Sequence, residues 1–246
     1  MVIPALIALQ MVSSKDLNRH VIGPAKRTGY RITDALSGLV ANRALLILTG
    51  AVCLFHLSNA AISPLVANLI TLRSSDGATL LVALCIIVPQ IVVTLASPRV
   101  GRWADRHGRR PLLLLGFGAL PVRAALLAFS SNPSTLVAIQ VLDGISGCAL
   151  GVLIASSVAD ITRNSGHFNL ALGLIGIAMG IGSAISTAFG GYIAYRFGVA
   201  TAFTTLASVG LLAFLVFAWA MPETRHPDTD ADDADTESEV ESWIRC

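Results

Sequence analysis

The stretch GRWADRHGRR at 101–110 lies between two apolar runs, ATLLVALCIIVPQIVVTLAS at 78–97 and PLLLLGFGALPVRAALLAF at 111–129. Each run is about as long as the ~20 helical residues that cross a bilayer core roughly 30 Å thick. The turn between them carries Arg102, Arg106, Arg109 and Arg110, with Arg99 just before it. Two apolar runs closed by a compact basic turn are the pattern of two membrane-crossing helices joined on the side that retains Lys and Arg.

Outward from this turn the same pattern repeats. Apolar segments at roughly 45–68, 78–98, 111–130, 135–157, 170–193 and 200–220 give six spans. No charge falls between Arg43 and Arg73, between Asp76 and Arg99, or between Arg196 and Glu223, and the third and fourth spans carry one each, Arg123 and Asp143. Of the 246 residues 54% are hydrophobic and 13% charged, with a mean hydropathy of +0.72. About 25% charged is usual for a soluble domain, so an ordinary soluble globule is excluded, as is a chain disordered throughout. Backbone amides in lipid must be bonded within their own segment, which makes these runs helices. The strict alternation of a membrane β-barrel is absent. The expected fold is an all-α membrane protein with six transmembrane helices spanning 44–222, preceded by a basic segment at 1–43 and followed by an acidic tail at 223–246.

Topology follows from the distribution of Lys and Arg. Fourteen fall on one side of the six spans and two, Arg73 and Arg196, on the other. The positive-inside rule then puts both termini in the cytoplasm of a plasma (inner) membrane. The apolar run at 1–12 is too short to span and has neither the basic start nor the small-residue site of a secretory signal. It is expected to be the end of a further span. Cys53, Cys85 and Cys148 lie in apolar runs and read as small hydrophobes, with no disulfide framework and no zinc site.

The basic turn fits G-x-x-x-D-R-x-G-R-R through Gly101, Asp105, Arg106, Gly108, Arg109 and Arg110. This resembles the signature loop of the major facilitator superfamily of transporters. Two glycines permit a tight turn with close helix approach, Asp105 suits a helix N-terminus, and the arginines reach carbonyls and acids on an adjacent bundle. The resemblance implies that this cluster latches the cytoplasmic gate. Residues 139–153 (IQVLDGISGCALGVL) and 158–182 (VADITRNSGHFNLALGLIGIAMGIG) are similar to the tenth and eleventh spans of a bacterial and fungal branch of that family, and Pro222-Glu223-Thr224 resembles the end of its twelfth. Arg225-His226 departs from the Lys-Gly that often follows, so no sugar-porter assignment is made. Gly173, Gly176, Gly180, Gly182, Gly190 and Gly191 crowd the fifth span, chiefly as small-residue packing positions. The likeness covers about 40–225 and only the family's spans seven to twelve. It implies one half of the fold, two three-helix inverted repeats, with 1–43 as the remnant of a central loop.

Intramembrane charges are costly and mark function. At ~1.5 Å per residue, Arg123 and Asp143 lie ~10 and ~12 Å below the outer ends of consecutive antiparallel helices, so an ion pair is expected. Two readings stay open: a static pair that fixes helix register, or a pair that breaks when Asp143 takes a proton during substrate binding. Pro121 is placed to kink the third span beside Arg123. His56 and Asn59 in the first span, and Gln140 one turn from Asp143, are placed to line the pathway.

Asp228, Asp230, Asp232 and Glu239 have the spacing of a calcium loop, but Asp233 occupies the position that needs glycine, and a solvated tail is expected. Asp143-Gly144 followed by Asp160 faintly resembles a phosphatidyl-alcohol transferase pattern, yet Gly147, Cys148 and Asn164 stand where it needs Ala, Arg and a second acid. H-E-x-x-H, G-x-S-x-G and P-loop patterns are missing from the sequence. Neither enzyme activity, nor a cofactor or metal, nor nucleic-acid binding is expected. The expected function is that of a permease half in the bilayer, moving a small solute coupled to protons as an antiporter, with efflux favoured. It needs an N-terminal half or a second copy, because alternating access rocks one half against another. The alternative is a non-transporting truncated membrane protein or scaffold.

Overall fold

The computed structural model describes residues 38–39, 41–74, 77–163 and 165–221, with only the backbone of Asp105 and His107. The basic N-terminal segment up to residue 37, Pro222-Glu223-Thr224, the acidic tail and its calcium-like spacing lie outside the described residues. The elements are α1 (Arg43–Asn59), α2 (Ile62–Arg73), α3 (Ala78–His107), α4 (Arg110–Phe129), α5 (Pro133–Ile139), α6 (Val141–Thr162), α7 (Phe168–Phe197) and α8 (Val199–Ala220). They make six spans long and apolar enough to cross a membrane. Several spans outrun their apolar windows. The second was expected to close at 98, but α3 continues to His107 and stops where Gly108 takes φ 90°. Arginines and Trp103 sustain a helix past the point where hydropathy falls.

Two spans expected to be continuous are broken. The first divides at Ala60–Ala61, between α1 and α2. Pro64 has no N–H to give the Ala60 carbonyl, and the Ala61 amide is diverted to Ser186 Oγ on α7 at 3.0 Å. Two residues before the break, Ser58 Oγ donates to the Leu206 carbonyl of α8 at 2.7 Å. The fourth span tightens at Gln140, between α5 and α6, where the Gln140 amide bonds the Val137 carbonyl and the Asp143 amide bonds the Gln140 carbonyl, both at 3.1 Å. This spacing is that of a 3₁₀ turn. By contrast α4 runs unbroken through Pro121.

The packing reveals an internal repeat. The chain falls into α1–α2, α3, α4 and then α5–α6, α7, α8. The first span of each trio packs on the middle span of the other: α1 on α7, α6 on α3. It also packs on the last span of the other: α1 on α8, α6 on α4. The two last spans, α4 and α8, pack on each other. Each contact thus has a counterpart when the trios are exchanged, as two inverted three-helix repeats require. Phe55, Phe117 and Phe217 join α1, α4 and α8 in the core, with ring centroids 5.3 and 4.6 Å apart. The outer faces of α3 and α7 leave Ile86, Ile91, Leu95, Ile177, Ile181 and Ile185 exposed.

Few of the crowded glycines serve close packing. A Cβ on Gly182 would strike the Cys53 carbonyl of α1, and one on Gly190 would lie 2.5 Å from the Ala61 Cβ at the α1–α2 break. Gly173, Gly176, Gly180 and Gly191 face open space, which corrects the expectation that the whole set brings helices together. Gly182→Ala is expected to destabilise the bundle by about 1–3 kcal/mol, the usual cost of overpacking against atoms that cannot yield. Gly176→Ala is expected to be neutral or stabilising, since alanine favours a helix by about 1 kcal/mol over glycine. Thermal unfolding of the two variants in detergent compares them directly.

Candidate functional site

Arg123 is fully buried on α4. A guanidinium carries five donors and no acceptor, and here they are shared between two other spans, the first and the fourth. Nε donates to Gln140 Oε1 at 3.0 Å, from the tight turn between α5 and α6. NH1 donates to Asn59 Oδ1 at 2.9 Å, the last residue of α1, and to Asp143 Oδ1 of α6. NH2 reaches Ser63 Oγ at 3.5 Å in the first turn of α2. Both helix breaks therefore meet at one cation. Of the residues singled out in the sequence, Asn59, Arg123, Gln140 and Asp143 form this single network.

The pair is asymmetric. The Arg123 side chain is 1% exposed and that of Asp143 25%. Asp143 forms part of the wall of a cavity of about 420 Å³ between α1, α3, α6 and α7, within the usual size of small-molecule sites (about 300–1,000 Å³). His56 and Asn59 also line it, while Arg123 and Gln140 stand behind the wall. The remaining surface is mostly apolar, with Phe55, Leu150, Leu172 and Met179, and one amide, Gln90. Gln90 escaped the sequence reading, although it is the one strongly polar side chain between Leu80 and Val93. Pro89 beside it has no amide hydrogen, so the α3 ladder is interrupted at the cavity. Gly144 permits close contact here: a Cβ on it would lie 2.5 Å from Val92 Cβ and 2.8 Å from the Pro89 carbonyl. Phe55 and Met179 carry no sequence signal that separates a cavity wall from a core position.

The basic turn departs from its expected form. Gly101 lies inside α3 with open space where a Cβ would stand. Gly108 alone makes the turn, at φ 90°. Asp105 falls in the last turn of α3, and its side chain lies outside the described residues. Arg106 is exposed. Arg109 pairs with Asp160 near the end of α6. Arg110 donates from NH2 to the Ala218 carbonyl of α8 at 2.7 Å. Both arginines thus have a partner inside this bundle. The turn ties together the adjoining ends of α4, α6 and α8.

Inverted three-helix repeats, with a mostly apolar cavity that holds a few polar groups, are the architecture of an integral membrane protein of the transporter-fold class. The chain belongs to the Major Facilitator Superfamily, whose family model matches residues 48–243. It is 40% identical over 190 residues to an uncharacterized MFS-type transporter of Mycobacterium tuberculosis (strain H37Rv), covering 77% of this chain and 46% of the relative. It is 34% identical over 151 residues to the class E tetracycline resistance protein of Escherichia coli, covering 61% and 36%. Over 130 residues it is 27% identical to multidrug resistance protein 2 of Bacillus subtilis, covering 53% and 32%. The chain spans less than half the length of each of these relatives.

Removing one partner of a buried pair leaves the other uncompensated, at about 3–5 kcal/mol. Arg123→Met is expected to cost that much. The double variant Arg123→Met with Asp143→Leu is expected to recover more than half of the loss, since an apolar pair replaces both charges. Denaturant titration of both in detergent micelles completes the comparison.

Proposed function

We propose that this bundle is one lobe of a proton-coupled permease that exports a small solute as an antiporter. The observation that supports the reading best is Asp143: its carboxylate contributes to a ligand-sized cavity while its partner Arg123 is sealed behind the wall. A proton arriving through the cavity can reach the carboxylate and not the guanidinium. Once Asp143 is neutral, Arg123 keeps Asn59, Gln140 and Ser63 but loses its counter-charge. The helix breaks at Ala60–Ala61 and Gln140 then lose the charge that draws α6 toward α4. A solute seated against His56, Asn59 and Gln90 therefore meets a different wall before and after protonation. Both termini face the cytoplasm in this reading, because the basic turn marks the inner side, and the Arg109–Asp160 and Arg110–Ala218 ties brace the inner gate.

The cavity takes its walls from α1, α3, α6 and α7. Rocking needs an opposing lobe, and we infer that a second six-helix bundle supplies it. The overlap with less than half of each relative supports this pairing. Tetracycline is the first probe, because relatives named for resistance to it align here. The chain is reconstituted in liposomes alone, and with the remaining part of the mycobacterial relative supplied in trans. An imposed pH gradient is expected to drive tetracycline flux in the second case. Asp143→Asn is expected to cut that flux about a hundredfold or more, within the range by which loss of a positioned proton carrier slows a step. Undiminished proton-driven flux in Asp143→Asn removes Asp143 from the mechanism. Absence of flux in both reconstitutions favours a non-transporting scaffold.

A further inference from the structure

A second cavity, of about 570 Å³, opens at the basic end of the bundle, where α1 and α4 begin and α8 ends. Its charged lining is cationic: Arg43 and Arg110, both at the first position of their helices, with no acid among the described lining residues. Arg110 spends an NH2 hydrogen on the Ala218 carbonyl, and its buried Nε has no hydrogen-bond partner. An N–H left without an acceptor in a buried place is costly. A bound oxyanion would supply that acceptor. The first turns of α1 and α4 add the positive ends of two helix dipoles at the same place.

The other wall says what carries the anion. Trp219 is 89% exposed and borders the cavity together with Ile47 and Met221. An indole exposed at the end of an apolar helix, next to the Ala218 carbonyl that Arg110 bonds, is the pattern of a side chain at the level of lipid headgroups. The lining is thus cationic at Arg43 and Arg110 and apolar at Ile47, Trp219 and Met221. We propose that it binds the phosphate of an anionic phospholipid, with Arg43 and Arg110 on the phosphate and the acyl chain leaving past Ile47 and Trp219. The site is separate from the Asp143 cavity and does not depend on the transport reading. Bound lipid would bridge the ends of α1, α4 and α8 and hold the basic end closed.

The test uses the full chain with Trp103→Phe and Trp243→Phe, so that Trp219 reports alone. It is placed in phosphatidylcholine vesicles with a small share of brominated phosphatidylglycerol, or of brominated phosphatidylcholine at the same share. Quenching of Trp219 is expected to be about threefold stronger with the anionic lipid, reflecting local enrichment by two arginines near the surface. Arg43→Gln with Arg110→Gln is expected to bring the two lipids to parity. Arg43 is exposed, so Arg43→Gln alone gives a folded variant with an intermediate preference. Parity in the parent chain overturns the proposal, as does a preference that survives the double substitution. Loss of the preference on adding inorganic phosphate would make the ligand a soluble anion instead. A preference that emerges only after residues 223–246 are removed would make the chain's own acidic tail the occupant.

Discussion

A guanidinium withdrawn from water inside an apolar bundle is tolerable only when its donors are occupied and its charge is balanced. Arg123 sets that condition, and the surrounding structure meets it. Asn59, Ser63, Gln140 and Asp143 come from both sides of α4 to surround it. Two irregular points of the backbone, Ala60–Ala61 and Gln140, are where these partners are presented. Asn59 and Ser63 are four residues apart, so they share one face of the first span and both reach the same cation. Pro64 and the Ser186 hydroxyl loosen the helix between them without separating the two side chains.

The inverted repeat gives this network its place. Because α1 and α6 are the leading spans of their trios, each packs on two spans of the other trio. Between them stands α4, with Arg123 on the side where both can reach it. The same arrangement leaves part of Asp143 in view of a cavity and Arg123 out of view. This one-sided exposure, on which the proposed role of Asp143 relies, arises from packing rather than from an unusual residue.

Much of this was legible in the sequence. Six spans follow from long runs without charge, and the pairing of Arg123 with Asp143 follows from their similar depth. The breaks were not legible. Ala60 and Ala61 are good helix formers, and the hydroxyl that diverts the Ala61 amide sits 125 residues away. The glycines misled for a related reason. Gly182 and Gly176 look alike in sequence, yet only Gly182 faces a neighbouring backbone. Gly101 has the sequence appearance of half a turn, but local helix preference carries α3 through it to Gly108. Gln90 is an uncharged amide in an apolar run, a weaker signal than the charges of the neighbouring spans.

In the proposed mechanism Asp143 changes protonation when the cavity is filled. Infrared difference spectroscopy of the purified chain in lipid, recorded with and without tetracycline, reads this directly. A change in a protonated carboxyl C=O band is expected on adding tetracycline, and its absence is expected in Asp143→Asn. A spectrum without such a band, or a band that persists in Asp143→Asn, would rule the mechanism out.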